Sequence, residues 1–165
     1  MGRIKVRFQR LTDAKRFFEI LSNPRFMHMP GIPKTLEEEI VYLRENARRR
    51  RERREFNYAI VLDGKVIGAI GLAINPRAPF VGEIGYFIDE PHWGHGFATE
   101  AVRLVERIGF VTLELHRVEI LMSPQNTASI RVAVKCGYEQ EGFLRERIYI
   151  DGRYEDACLY AKIGP

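Results

Sequence analysis

The sequence is poor in cysteine and has no long apolar run. Its 165 residues include two cysteines, Cys136 and Cys158, which lack the spacing of a zinc-binding motif and are expected to pack as small apolar side chains. The apolar stretches fall well short of the roughly 20 residues that a membrane helix needs. The first residues lack the apolar core of a signal peptide, and Val6 stands where a myristoylation motif requires Ser or Thr. We therefore expect a cytoplasmic protein that does not enter a membrane.

Metal-binding residues are also scarce. The chain has four histidines, of which His92 and His95 flank Trp93 and Gly94 without a cysteine or third histidine nearby to complete a site. We therefore predict no bound metal and interpret both histidines as loop residues beside an anion site.

The overall composition is that of a globular domain, with 45% hydrophobic and 29% charged residues. A chain of this length buries roughly 70% of the surface that it exposes when unfolded, so we expect a single domain over residues 1–165. The net charge of +4 favours anionic partners such as phosphate groups, acidic protein segments or nucleic acid.

Two glycines, Gly94 and Gly96, form the centre of a turn that joins an apolar strand-like segment to a helical pattern. Glycine permits positive φ angles and leaves no Cβ atom above the backbone, so that successive N–H groups can line one concave surface. Together with the free N–H groups at the start of the helix, this turn favours a phosphate or pyrophosphate group. The helical pattern consists of Ala98, Ala101, Val102, Val105 and Ile108.

Two well-known phosphate motifs do not fit this turn. A Walker loop requires a lysine after its last glycine, whereas Phe97 follows Gly96. A Rossmann fingerprint requires a third glycine or alanine where Thr99 stands, and it follows its strand directly, whereas residues 89–91 intervene here. A plain strand-to-helix turn without a ligand is the remaining alternative.

The periodicities of the whole chain predict an α/β protein. Two Asp-Gly pairs mark hairpin turns, and Asn126 and Gly137 bound the last helix. The order of elements indicates a mixed sheet flanked by helices. Strands are predicted at 3–8, 56–62, 65–74, 82–88, 115–122, 143–150 and 153–163, and helices from Thr12 as N-cap to Asn23, from Thr35 to about Ala47, from Ala98 to Ile108 and from Thr127 to Lys135.

An arginine-rich segment follows the second predicted helix. From Arg44 to Arg54 arginine dominates, and the apolar stripe stops after Ala47. We interpret the segment as a solvated helix end whose cations complement the helix dipole. The alternative is a docking surface over Arg48–Arg54 for an acidic protein, the ribosome or RNA.

Two motifs resemble those of one enzyme family. Residues 93–98, Trp-Gly-His-Gly-Phe-Ala, resemble the acetyl-CoA loop of the general N-acetyltransferase (GNAT) superfamily, Arg/Gln-x-x-Gly-x-Gly/Ala, except that Trp93 stands at the first position. Residues 126–142 resemble the Asn-x-x-Ser…Lys-x-Gly-Phe/Tyr…Glu-Gly signature of the RimJ/RimL group of ribosomal-protein N-terminal acetyltransferases. The order of predicted elements is similar to that of a GNAT domain over nearly the whole chain.

The resemblance implies a GNAT-like fold: a mixed, mostly antiparallel sheet flanked by helices and splayed between the strands at 82–88 and 115–122. It implies acetyl-CoA as cosubstrate and acetyl transfer to a primary amine, with a protein N-terminal α-amine as the first expectation. The alternatives are a small amine, such as a polyamine or an antibiotic, and a non-catalytic ribosome- or RNA-binding role of the Arg-rich helix. A homodimer is left open.

The family's positions for coenzyme A fall on three parts of this chain. Asn126 is assigned to coenzyme A or to the substrate backbone. The resemblance assigns the pantetheine arm to the backbone of Phe87, Ile88 and Asp89, and the pyrophosphate to the backbone amides of Gly94, His95, Gly96, Phe97, Ala98 and Thr99.

Two residues are candidates for catalysis. Glu83 is the candidate general base, because strand alternation points it to the same side as Gly85 and Phe87, and because GNAT enzymes often carry a glutamate at this position. The alternative is that Glu83 pairs with an arginine and that the amine arrives neutral. Many GNAT enzymes have a tyrosine for the leaving thiolate where Ala133 stands here, whereas RimL-like enzymes place the serine of the Asn-x-x-Ser motif near the sulfur. This resemblance nominates Ser129 as hydrogen-bond donor to the departing thiolate.

One further position departs from the RimL-type pattern. Some of these enzymes use a glutamate on the first strand of the last hairpin, and Ile148 occupies the matching position here. That role is therefore absent or moved to Glu146.

Overall fold

The computed structural model of the chain describes residues 3–26 and 29–165. Within these ranges the strands are β1 (Lys5–Phe8), β2 (Glu55–Leu62), β3 (Lys65–Ile74), β4 (Val81–Ile88), β5 (Arg117–Met122), β6 (Glu139–Ile150) and β7 (Arg153–Ile163). The helices are α1 (Ala14–Leu21), α2 (Leu36–Arg44), α3 (Asn46–Arg51), α4 (Phe97–Arg107) and α5 (Thr127–Lys135), and α4 continues into a π-helical turn, Ile108–Thr112. The predicted order of elements is confirmed, with α3 as an addition.

All seven strands form one sheet in the order β1-β2-β3-β4-β5-β7-β6. Every neighbouring pair is antiparallel except β4 and β5, which are parallel. This confirms the predicted mixed, mostly antiparallel sheet. It also rules out a dinucleotide-binding fold, which needs a largely parallel sheet.

The parallel pair separates soon after it begins. Its register covers Val81 with Arg117, Gly82 with Val118 and Glu83 with Glu119, and both strands then continue without pairing to each other. The predicted splay is therefore present, between strands at 81–88 and 117–122. The later start of β5 has a local cause, because the N–H of Leu115 donates to the carbonyl of Gly109, at 2.9 Å, before the strand begins.

Both Asp-Gly pairs form the hairpin turns that the sequence predicts. Asp63 and Gly64 have φ angles of 47° and 79°, and Asp151 and Gly152 have φ angles of 47° and 81°. Positive φ at both central residues is the geometry of a type I′ turn, which matches the twist of the flanking strands.

The start of α1 differs from the prediction. A 3₁₀ turn, Leu11–Asp13, precedes the helix, and Thr12 is not its N-cap. Instead the Asp13 carboxylate accepts a hydrogen bond from the N–H of Arg10, at 2.8 Å, and two from the Arg7 guanidinium, at 2.7 and 2.8 Å. The ion pair of Asp13 with Arg7 on β1 therefore determines where α1 begins.

Three other helix ends follow the sequence signals, whereas α2 ends at Arg44 and not at about Ala47. Thr35 Oγ1 accepts from the N–H of Glu38, at 3.2 Å, and begins α2. Asn126 Oδ1 accepts from the N–H of Ser129, at 3.1 Å, and begins α5, which closes at Gly137 with φ of 81°. These bonds satisfy backbone groups that a helix end leaves unpaired.

Helices cover both faces of the sheet. On one face α4 packs through Val102 and Val105 against Ile84 and Val118 in the main hydrophobic core. On the other face α1 and α2 pack through Phe17 and Leu43, among others, onto Ala59, Ala69 and Phe87. Because side chains alternate along a strand, Glu83 and Gly85 share the α1/α2 face with Phe87.

The arginine-rich segment is held largely by partners in the same chain. Arg48 forms salt bridges with Glu45 and Glu52, at 3.6 and 2.9 Å. Arg49 lies over the ring of Tyr42, with 4.2 Å between the guanidinium carbon and the ring centroid. α3 ends at Arg51, so that the predicted docking surface over Arg48–Arg54 is part helix and part turn. In the part of the chain that the structure describes, no helix is both long enough and apolar enough to cross a bilayer.

Candidate active site

The site begins at the free edge of β4. Beyond Glu83 the strand continues to Ile88, paired with β3 on one side and no longer paired with β5 on the other. Unpaired N–H and C=O groups along a strand edge bind an extended ligand well, because they repeat the pattern of a sheet. Phe87 and Ile88, which the family resemblance assigns to the pantetheine arm, lie in the part of β4 beyond its last pair with β5.

The glycine turn lies directly after this edge. A 3₁₀ turn, Glu90–His92, leads into Gly94 and Gly96, whose φ angles are 77° and 82°, and Gly96 is the N-cap of α4. A Cβ atom added at either glycine would meet no atom within 4 Å. The space above both glycines is therefore open, and the helix start at Gly96 leaves N–H groups without intrahelical partners, as an anion site requires.

Trp93 fastens the turn to the strand. Its indole Nε1 donates a hydrogen bond to the carbonyl of Ile88, at 2.6 Å, and its ring packs edge-on against Phe26. The residue that departs from the family motif thus has a structural role of its own. Sequence reasoning missed this contact, which joins residues on two different elements.

The carboxylate, N–H and carbonyl of Asp89 all bond to other residues of the chain. Its carboxylate forms a salt bridge with Arg16, its N–H donates to the carbonyl of Ile67 at 2.8 Å, and its carbonyl accepts from the N–H of His92 at 2.9 Å. Asp89 therefore anchors the start of the turn, and its assignment to the pantetheine arm stays a prediction.

The side chains of the turn pack on Phe97, the first residue of α4. His95 stacks on Phe97 with 5.7 Å between ring centroids, and His92 lies at 6.3 Å. His92 Nδ1 is buried without a hydrogen-bond partner among the described residues. Ala98 and Thr99 complete the first turn of α4, and the Thr99 carbonyl faces Cys136 Sγ at 3.6 Å. The assignment of the pyrophosphate to the backbone amides of residues 94–99 stays a prediction.

Glu83 stands at the point where β4 and β5 part, and its side chain reaches solvent. Desolvation in this position raises the pKa of Glu83 above its ordinary value, the charge of Arg147 opposes this, and Glu119 adds to it. Within residues 3–26 and 29–165, Glu83 forms no salt bridge. The charge of Arg147 thus acts on Glu83 without a salt bridge, and both the general-base interpretation and its arginine-paired alternative stay predictions.

Ser129 and Asn126 lie on the opposite side of β4. The Asn126 side chain is used as helix cap, through the N–H of Ser129, which leaves the Ser129 hydroxyl for other partners. The Tyr86 hydroxyl is buried beside Ser129 and lacks a hydrogen-bond partner among the described residues. Burial raises the pKa of Tyr86 to about 12, while the neighbouring Ser129 acts in the opposite direction.

The structure thus brings Ser129, Asn126 and Tyr86 together and places Glu83 across the strand from them. The opening between β4 and β5 connects the two sides. Strand alternation alone puts Tyr86 on the face opposite Glu83. That its hydroxyl is buried without a hydrogen-bond partner results from packing between elements, which the sequence does not display.

The last hairpin bulges beside this opening. The register of β6 with β7 shifts between Leu144 and Ile148, and Glu146 in the bulge has a φ angle of 50°. The N–H of Glu146 donates to Asp156 Oδ1 at 2.8 Å. The structure shows an exposed Glu146 in the bulge, which forms no hydrogen bond or salt bridge with Glu83 or Ser129 in the described part of the chain. A catalytic role of Glu146 stays a prediction.

A sheet opened beside a glycine turn, with a helix start at its end and a carboxylate at the opening, defines an acyl-CoA-dependent transferase. The chain belongs to the GNAT family, because the profile of the acetyltransferase (GNAT) domain matches residues 3–139. It is an N-acetyltransferase, and acetyl-CoA is its cosubstrate.

Known proteins support this assignment. The probable N-acetyltransferase YjcK of Bacillus subtilis is 40% identical over 114 residues, which span 67% of this chain and 63% of that protein. The ribosomal-protein-serine acetyltransferase of Escherichia coli is 30% identical over 106 residues, 64% of this chain and 59% of that protein. The structure of Mycobacterium smegmatis RimJ in complex with CoA-disulfide is similar with a TM-score of 0.88 at 25% identity, covering 98% of this chain and 82% of that one.

Proposed function

We propose that the protein transfers the acetyl group of acetyl-CoA to the N-terminal α-amine of a protein. The observation that carries the proposal is the position of Glu83, an exposed carboxylate without a salt bridge among the described residues, at the end of the short β4–β5 ladder. The choice of acceptor is supported by relatives that are named for ribosomal proteins, such as the ribosomal-protein-serine acetyltransferase.

In this proposal the free edge of β4 and the glycine turn bind the cosubstrate. The backbone at Phe87 and Ile88 pairs with the amide groups of the pantetheine arm. The amides from Gly94 to Thr99 hold the pyrophosphate, with the start of the α4 dipole adding a favourable field. Asn126, at the start of α5, borders the same opening.

Glu83 acts as general base. It takes a proton from the ammonium group of the acceptor, and the nitrogen lone pair then attacks the thioester carbonyl carbon. A raised pKa suits this role, because an ordinary glutamate is a weak base toward an ammonium group.

Ser129 assists the leaving group. As the tetrahedral intermediate collapses, the C–S bond breaks and the sulfur takes the electron pair. The Ser129 hydroxyl donates a hydrogen bond to the developing thiolate, and the nitrogen of the new amide loses its second proton to solvent. The proton held by Glu83 passes through solvent to the sulfur and gives coenzyme A thiol.

A small cationic amine is the second candidate acceptor. Two carboxylates of the α1/α2 region, Glu83 and the buried Glu39, have no salt bridge in the described part of the chain. A relative from Escherichia coli, spermidine N(1)-acetyltransferase, is 27% identical over 109 residues. This acceptor class needs cation binding, which the two carboxylates supply.

The test is an assay of free-thiol release from acetyl-CoA. The acceptors are peptides with Ser, Ala or Met at the N-terminus, the same peptides with a blocked N-terminus, spermidine and an aminoglycoside. We expect release with at least one free N-terminus and none with its blocked form. Release with spermidine alone would favour the second candidate, and release with no amine at all would overturn the assignment of the site.

A further inference from the structure

The α1/α2 face of the sheet has an open strip beside Glu83. The register places Asn57, Gly71 and Gly85 side by side on β2, β3 and β4, and the next row holds Glu55, Ala73 and Glu83. At Gly71 an added Cβ would lie 2.4 Å from Asn57 Oδ1, so that packing requires glycine there. At Gly85 an added Cβ would meet no atom within 4 Å, and its φ is not positive. Neither packing nor backbone geometry therefore requires glycine at 85.

One flank of α2 lies along this strip. Glu39, Tyr42 and Asn46 follow one another at helical spacing and share a flank. The Tyr42 hydroxyl donates to Glu55 Oε2 at 3.4 Å, and Asn57 Nδ2 donates to the Tyr42 hydroxyl at 3.2 Å. Asn57 Nδ2 also donates to Asn46 Oδ1 at 3.0 Å. The carboxyl-terminal part of this flank is therefore fixed above β2.

Glu39 lies one helical turn before Tyr42, in the direction of β3 and β4. The opposite direction leads to β1, because Asn46 Nδ2 donates to Gln9 Oε1 beyond that strand, at 2.8 Å. A helix rises about 1.5 Å per residue and neighbouring strands are about 4.8 Å apart, so one turn of α2 spans about one strand. Because this flank passes from Gln9 at Asn46 to Glu55 and Asn57 at Tyr42, its next turn, with Glu39, lies toward the side of β3 and β4 that carries Gly71 and Gly85.

The carboxyl group of Glu39 is unusual in its surroundings. The residue is 6% exposed, and its side chain has no hydrogen bond or salt bridge in the described part of the chain. Desolvation raises its pKa to about 7. Neither oxygen of this carboxyl is among the fully buried side-chain atoms that lack a partner, so a ligand can reach it. A desolvated carboxyl without a partner destabilises a fold, and a cationic ligand would supply that partner.

We propose that Glu39 is a specificity-determining residue that binds the positively charged amine of the acceptor above Gly85, on the same face of the sheet as Glu83, and that Gly85 leaves the space for that amine. This inference rests on the proposed function, because it concerns the same acceptor. Two carboxylates, Glu39 on α2 and Glu83 on β4, thus recognise a cationic primary amine. Glu39 holds the charge, and Glu83 removes the proton.

The test compares Glu39→Gln with Glu37→Gln in steady-state kinetics. Glu37 is exposed on the same helix and serves as matched control. The acceptor is whichever of a serine-initiated peptide or spermidine the unmodified protein acetylates. We expect the acceptor KM of Glu39→Gln to rise about tenfold, as for the loss of one charge-assisted contact. The acetyl-CoA KM of Glu39→Gln and both KM values of Glu37→Gln should stay within about twofold of those of the unmodified protein.

A second variant, Gly85→Val, tests the space above β4. A β-branched residue suits a strand, so we expect a thermal unfolding temperature no lower than that of the unmodified protein and unchanged acetyl-CoA affinity. The acceptor kcat/KM should fall by at least about tenfold, because the side chain occupies the place of the amine.

The two levels of failure are distinguishable. An unmodified protein that binds acetyl-CoA but acetylates neither acceptor would overturn the proposed function and this inference with it. An active protein whose acceptor KM is unaffected by Glu39→Gln, or whose kcat/KM is unaffected by Gly85→Val, would overturn the inference alone.

Discussion

Glu83 and Glu119 occupy the last paired register of β4 and β5, and their side chains share one face of the sheet. Glu119 is held by Arg117, at 2.7 Å, whereas Glu83 has no salt bridge within the described residues. One carboxylate is thus neutralised by a neighbour, while the other is left at the opening with a raised pKa. This asymmetry makes Glu83 rather than Glu119 the candidate base.

Removing the carboxylate of Glu83 should slow the reaction and change its pH dependence. We expect Glu83→Gln to lower kcat by about 10²- to 10⁴-fold, the usual contribution of a general base, with acetyl-CoA affinity unchanged. The base acts only when deprotonated, so a raised pKa shifts the acidic loss of kcat/KM to higher pH than for an ordinary glutamate. That acidic limb should be absent from the pH profile of Glu83→Gln. An unchanged profile would remove Glu83 from the mechanism.

The glycine turn offers a test with a matched control. Gly96 and Gly64 have φ angles of 82° and 79°, and an added Cβ at either meets no atom within 4 Å. Gly96→Ala and Gly64→Ala should therefore lose similar stability, about 1 to 2 kcal/mol each. Only Gly96→Ala should weaken acetyl-CoA binding, by about tenfold or more in titration calorimetry, because its methyl group points at the anion site. Equal affinities would place the cosubstrate elsewhere.

The variant Ser129→Ala removes the Ser129 hydroxyl and leaves the helix cap intact. The cap uses the backbone N–H of Ser129, so we expect an unchanged unfolding temperature. We expect kcat to fall by about tenfold or more, with both KM values retained, if the hydroxyl stabilises the leaving thiolate. Thr127→Ala in the same helical turn is the control, and equal activity of the two variants would contradict the role.

Glu39 should make stability depend on pH in an unusual direction. Its pKa is about 7 in the folded chain against 4.5 in an unfolded one, so the folded state binds more protons between these values. Stability should therefore fall as pH rises from about 4.5 to 7. The free energy of unfolding of Glu39→Gln should not fall over this pH range, because glutamine does not titrate. At pH 8 this variant should be more stable than the unmodified protein by on the order of 1 to 3 kcal/mol, and near pH 4 the two should be similar. Denaturant unfolding at both pH values, with Glu37→Gln as control, measures the difference.

The arginine-rich segment should respond unevenly to substitution. The Arg49 side chain is 17% exposed, lies over Tyr42 and donates to the carbonyl of Tyr42 and to Asn46 Oδ1, both at 3.0 Å. Arg49→Ala should therefore destabilise the fold by about 1 to 2 kcal/mol. Arg51→Ala, at an exposed position, should change stability by less than about 0.5 kcal/mol. Equal effects in denaturant unfolding would mean that the packing of Arg49 contributes nothing.

Local signals predicted most of the fold. The Asp-Gly turns, the Asn126 cap and the glycine turn depend on backbone preferences of a few consecutive residues, which a single sequence displays directly. The start of α1 was predicted wrongly because Asp13 is fixed by Arg7, which lies on a strand. No local pattern identifies that partner.

The candidate site was predictable in part for the same reason. The position of Glu83 and the turn around Gly96 followed from strand alternation and from family motifs. Glu39 was missed, although a glutamate between Leu36 and Leu43 on the buried side of α2 is a signal that the sequence does contain. Tyr86 and the contact of Trp93 with Ile88 depend on packing between elements and could not be foreseen.

The short β4–β5 ladder divides the sheet into two blocks that share backbone hydrogen bonds over only three residue pairs. In the proposed function, a pantetheine arm bonded to the edge of β4 would link these two blocks, and the cosubstrate would act as an additional strand of the sheet. Deuterium uptake at the amides of 84–88 should then slow when acetyl-CoA is added, while the far hairpin around Asp63 exchanges as before. Acetyl-CoA bound in this way would be both the substrate of the enzyme and a ligand that makes its sheet more rigid.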